Sequence, residues 1–232
     1  DQRVSITGFA VKGILAGAIV EAYDITGTTK LAETVTDADG KYTLPLIDHD
    51  GPILVKLKTQ PSTQATCDSA VGCDDGSGTP VPFGSTYSFN DAEFDLSAVL
   101  PSATEAAEQE LMVTPVTHLA AARVQAAVTE GGGAITPAEV EGLNRATATL
   151  LGLDGIDINK VAPVDITDAE ATNEGSAAAQ LYGTLVASIQ TLAEKDPEAS
   201  IAEVIDDLAE DYAETGGLVS NSETEETITL EE

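Results

Sequence analysis

Tryptophan is absent, and Phe and Tyr bring aromatics to only 4% of 232 residues. Any core must therefore be built mainly from Ala, Val, Leu and Ile. The same shortage counts against a paired-carboxylate glycosidase, because sugar platforms use Trp and Tyr rings, although forty acidic residues could supply the carboxylates. Positive charge is equally scarce. Ten Lys and Arg stand against forty Asp and Glu, giving a net charge of −30. Such a surface repels phosphate backbones and excludes nucleic acid as a partner. It also repels anionic lipid head groups, and it tolerates the high salt or divalent cations that a marine or halophilic setting would provide. No apolar run reaches the roughly eighteen residues of a membrane span. No leader precedes Asp1, so the chain reads as already processed.

Cysteine is limited to Cys67 and Cys73, in a loop rich in Gly, Asp and Ser. Two sulfurs without a nearby His make a poor zinc site, and the spacing is not C-x-x-C. The expectation is a small structural disulfide formed outside the cytosol. Catalytic signatures are missing too. The sequence has no G-x-S-x-G, no H-E-x-x-H and no phosphate-cradling loop; Gly131–Gly133 lacks the Lys and spacing of a P-loop.

What is present first is alternation. Val4–Phe9, Ala18–Tyr23, Lys30–Thr36 and Pro52–Leu57 read as strands separated by Gly- and Asp-rich turns. Glu33–Leu46 is the organising stretch: bulky and polar residues alternate on either side of Asp37-Ala38-Asp39-Gly40, which predicts a β-hairpin. Residues 61–82 read as a long surface loop stapled by the disulfide. Ser85–Phe89 and Glu93–Leu100 read as further extended segments, returning as edge strands.

These residues carry a resemblance. The order G-A-x-V (17–20), T-x-T-D-A-D-G-K-Y-T-L (34–44) and G-P-x-x-V-K (51–56) resembles the transthyretin-like, carboxypeptidase-regulatory or Cna-B-type β-sandwich over residues 4–58. The resemblance implies a stalk, adhesin or accessory module. Some Cna-B relatives form a Lys–Asn isopeptide bond assisted by an acid, for which Lys12 and Glu21 are the nearest candidates.

Beyond Pro101 the period lengthens and Ala becomes common. Residues 104–112 lean towards helix. Thr114-Pro115 predicts a helix over Pro115–Thr129, and Thr136-Pro137 with Glu139 predicts another to about Leu151. Asp154–Thr167 reads as a connector. A long helix is expected over Thr172–Glu194 with Leu181, Leu185, Ile189 and Leu192 inward, and a last one over Ser200–Tyr212. The runs LMVTPVTHLAAARV, LNRATATLLGLDGIDI and AQLYGTLVASIQTLAE resemble a helical region following such a sandwich in Gram-negative surface proteins and lipoproteins, which implies export. The expected fold class is α+β: an antiparallel β-sandwich over residues 1–100, an all-α helical domain over 101–219, and an acidic tail over 220–232 with a short strand at Thr227–Leu230.

Calcium is the one cofactor the acids suggest. Asp37 and Asp39 share a turn, and Asp154, Asp157 and Asn159 form a second oxygen cluster; turn and connector roles explain both sets as well. Asp68, Asp74 and Asp75 flank the cysteines. His118 lies one turn inside a helix, and His49 lies in a turn. A catalytic base would need a nucleophile and an orienting acid assembled around it.

The function expected is non-enzymatic: an exported structural or adhesive module of the cell surface or matrix, self-associating into filaments or binding other surface proteins through strand edges. Candidate donor strands are Asp1–Phe9 and Thr227–Leu230. The alternatives are a lipoprotein-type module capturing a small or apolar ligand in the helical half, and an accessory region of a hydrolase.

Overall fold

The computed structural model describes residues 3–75, 79–103, 107–195 and 199–218. Thr227–Leu230 lies outside them. The chain runs through β1 (Arg3–Phe9), β2 (Leu15–Ala16), β3 (Ile19–Asp24), β4 (Lys30–Val35), β5 (Lys41–Asp48) and β6 (Ile53–Lys58). It continues through β7 (Gln64–Thr66), β8 (Thr86–Ser88), β9 (Asp95–Leu100) and β10 (Glu108–Glu110). Among the described residues five helices follow: α1 (Pro115–Glu130), α2 (Pro137–Leu150), α3 (Ala169–Glu174), α4 (Ala177–Glu194) and α5 (Ile201–Thr215). The fold is mixed α+β, with strands first and helices after. No helix among the described residues is long and apolar enough to cross a membrane.

The described strands form three sheets. Strands β4-β3-β6-β9 make a fully antiparallel sheet, and β2-β7-β8 make a small one. In β10-β1-β5 the β5 pairing is antiparallel and the β10 pairing parallel. Alternation works as expected in β1, where Val4 and Ile6 are fully buried between more exposed neighbours. Val4, Ile6, Leu44, Val20, Val55, Leu57, Leu96 and Ala98 join one hydrophobic cluster. Leu54 and Val99 point the other way and pack with Ala121, Val124 and Val128 of α1 and Val140 of α2. Residues of β6 and β9 are thus buried on both faces, which explains why ILV and AVL are continuous apolar runs.

Three local expectations are corrected. Strands β4 and β5 flank the Asp37–Gly40 turn but do not pair; they enter different sheets, so the stretch is a crossing between sheets and not a hairpin. Thr36 helps direct the split: its Oγ1 donates to Leu15 O at 2.6 Å and accepts from Ala18 N at 2.9 Å. The stretch before α1 is a strand, β10, and is followed by Val113, whose N donates to Phe9 O at 2.9 Å. The stretch 61–82 is only partly a surface loop. It contributes β7, and its cystine, Cys67–Cys73, is buried in the core.

The helix caps match the sequence. Thr114 and Thr136 each close a capping box with Pro at the helix start, and Ser200 does the same for α5 without Pro. The helix expected over Thr172–Glu194 is broken at Gly175 and restarts from Ser176 as N-cap. Its buried face differs in part: Ile189 is inward and Leu185 packs against the core as expected, but Tyr182, Gly183, Val186 and Gln190 share that face, while Leu181 and Leu192 are 49% and 46% exposed. The cause is close approach. A Cβ at Gly183 would sit 2.5 Å from Val164 O, so only glycine lets the connector pack onto this face.

Candidate functional site

Of the carboxylates expected to bind calcium, Asp37 and Asp157 accept hydrogen bonds from nearby backbone. Asp37 Oδ1 accepts from Asp39 N at 3.0 Å and Lys41 N at 2.9 Å, closing the crossing turn. Asp39 is exposed. In the connector Asp154 is exposed, while Asp157 accepts from Asn159 N at 3.1 Å and lies 3.5 Å from Lys160 Nζ. Asn159 is buried and donates to Val99 O at 3.1 Å. Among the described residues no group of three or more His, Cys, Asp or Glu is arranged to hold a metal ion.

His118 sits where α1 crosses β9. Its Nδ1 is 3.2 Å from Ser97 Oγ, and its Nε2 is 3.7 Å from Asp206 Oδ1 of α5. A serine, a histidine and an acid in one line invite a hydrolytic reading. The geometry argues against it. The acid contact is too long for a hydrogen bond, and Ser97 is 7% exposed, with its backbone oxygen held by Thr117 Oγ1 at 3.0 Å. Neither Ser97 nor His118 lines the cleft beside Tyr87 and Gln190, the one beside Asn144 and Asn159, or the one beside Val164 and Gly183. Burial pushes the His118 pKa down, with Asp95 opposing and Lys56 adding to the shift. A neutral imidazole here fastens a helix to a sheet. His49 is half-buried between Asp48 and Asp50.

Lys12 and Glu21 each have other partners. Glu21, on β3, lies 3.0 Å from Lys30 Nζ and 2.9 Å from Lys58 Nζ, and accepts from Tyr23 Oη at 3.0 Å. Burial alone would raise its pKa, but these hydrogen bonds outweigh that and hold it at about 2. Lys12 is 1% exposed; its Nζ donates to Tyr87 Oη at 2.9 Å and lies 4.4 Å from the Phe89 ring centroid. Burial lowers its pKa to about 8, against the opposing pull of Asp68, Glu194 and Asp91. Asp68 is buried too and accepts from Gly13 N at 2.8 Å; burial raises its pKa. Asp74 and Asp75 are exposed. No local pattern marks Lys12 and Asp68 as interior, since neither belongs to an alternating strand.

The strand edges are unequal. Strand β1, one candidate donor, is paired on both sides and is not free. Strands β4 and β5 each have a single neighbour among the described residues. Pro45 blunts β5, because proline cannot donate, and a register shift opposite Val4–Ile6 bends that pairing. Strand β4 (KLAETV) has no proline, and Val35 is 48% exposed. Its charged residues neutralise one another: Lys30 Nζ is 2.6 Å from Glu33 and 3.0 Å from Glu21. Its pairing with β3 carries a register shift at Ala22–Tyr23. In comparisons with known proteins, no family model and no curated sequence matches the chain.

Proposed function

We propose that this protein is a non-catalytic structural or adhesive module of the cell surface or extracellular matrix, and that it associates with a second copy of itself along β4. The observation that supports this most is the open β4 edge: a six-residue strand with one neighbour among the described residues, an exposed Val35 and no proline. Open edges are templates for strand addition. The buried Cys67–Cys73 disulfide supports an oxidising destination. The sequestered Ser97 and His118 support a non-enzymatic role. The antiparallel sheets and the helices that follow them fit a sandwich of the transthyretin-like type joined to a helical domain, and that is the architecture we infer.

Sedimentation velocity and negative-stain microscopy across a concentration series test the reading. The expected result is concentration-dependent dimers or filaments that disappear in Val35→Lys, which places a charge on the pairing edge, with an unchanged circular-dichroism spectrum. A wild-type chain that stays monomeric throughout overturns the proposal.

A further inference from the structure

We infer that the cleft between α2, the 155–160 connector and the end of β9 and β10 binds a small zwitterion of the amino-acid type. The cleft encloses about 380 Å³. Three carboxamides line it from three separate elements, Gln109, Asn144 and Asn159, at 9%, 8% and 5% exposure. Each turns its NH₂ group into the wall. Gln109 Nε2 donates to Ser102 O at 2.7 Å; Asn144 and Asn159 Nδ2 donate to Val99 O at 3.4 and 3.1 Å. These bonds fix the amide orientations.

The oxygens and one N–H of each amide remain. Asn159 Oδ1 is buried with no hydrogen-bond partner among the described residues. An unmet buried acceptor is unfavourable, so a donor brought by a ligand would be rewarded. Glu110 and Glu141 add exposed carboxylates to the lining. Carboxylates and carboxamide oxygens thus offer acceptors for an ammonium group, while Lys160, 3.5 Å from Asp157, lines the cleft as a cation beside them. The carboxylates do not converge as a metal site requires. A guanidinium completes the site: Arg145, one helical position beyond Asn144, lines the cleft and forms no ion pair among the described residues. A ligand ammonium on the carboxamide oxygens and a ligand carboxylate on Arg145 use both halves. Leu100 and Ile158 supply apolar wall for a side chain.

The test is amide-resolved NMR titration of the folded chain with L-leucine, isopentylamine (leucine without its carboxylate), acetate and calcium chloride. Leucine is expected to shift cleft resonances saturably, with isopentylamine about tenfold weaker, as loss of one charge-assisted contact predicts. Arg145→Met should bring leucine down to the amine's affinity. Glu141→Gln, an exposed change that leaves folding intact, should weaken both amines. Asn159→Leu should abolish binding, with thermal melts reporting whether it folds. Absence of saturable shifts with leucine overturns the inference. So does calcium or acetate binding in place of leucine, or equal affinity for leucine and isopentylamine. Because the readout is local to the cleft, it stands or falls independently of self-association along β4.

Discussion

Lys12 is a buried cation whose chemistry departs from its type. Its pKa is lowered from 10.5 to about 8 by burial, equivalent to a penalty of roughly 3 kcal/mol for keeping the ammonium in the folded state at neutral pH. Above pH 10.5 both states are neutral at this residue. As pH falls from 10.5 to 8 the unfolded chain takes the proton first, so stability declines; below 8 the penalty is constant. Lys12→Met is therefore expected to stabilise the protein by about 1–3 kcal/mol at pH 7, the lost bond to Tyr87 being offset by relief of desolvation. The gain should shrink as pH approaches 10.5. Urea melts at about pH 7 and about pH 10 check this. The difference between the two proteins cancels most of the opposing effect of Tyr42 and Tyr182, whose hydroxyls burial makes hard to ionise. A destabilised Met variant at neutral pH would show that the amine is held by more than its hydrogen bond.

At the scale of elements, helix starts are legible in the sequence and strand partners are not. Thr114-Pro115 and Thr136-Pro137 with Glu139 mark helix starts because a cap is a local bond between neighbours in sequence. Thr114 does more than its local role: its Oγ1 is also 2.8 Å from Tyr182 Oη on α4. Thr114→Ala is expected to cost about 1–3 kcal/mol, with Thr114→Ser recovering most of it, measured by chemical denaturation. Alternation, by contrast, says which side chains point inward but not which strand lies alongside. Tyr42 and Leu44 are buried as their pattern predicts, yet β5 joins β1 and not β4. The α4 face escapes its pattern for a related reason: leucine spacing favours Leu181 and Leu192, but contact with Val164 turns Gly183 inward. The carboxamide cleft is only partly legible in the sequence: Asp157 and Asn159 stand out as an oxygen cluster, but residues 109 and 144 are neutral and share no period with them.

For the whole molecule, charge dominates the energetics outside the core. A net charge of −30 on 232 residues repels itself in the compact state. Screening lengths fall from about 10 Å at 0.1 M salt to about 3 Å at 1 M. Moving from low salt to about 1 M sodium chloride should stabilise the protein on the order of 1–2 kcal/mol, a rise in Tm of roughly 2–8 °C. Differential scanning calorimetry measures it, and a flat or falling Tm would mean that ion pairs such as Glu21–Lys58 outweigh the repulsion.

Strand β10 also constrains how this protein can be shortened or recombined. It lies beyond residue 100 yet forms the parallel rim of the first sheet, and α1 covers Leu54 and Val99. The front strands are thus not a detachable cassette. A gene fragment ending at Leu100 would encode a sheet missing one rim and showing a greasy flank to water, so any graft or truncation that is to stay soluble must carry the chain through at least the end of α1.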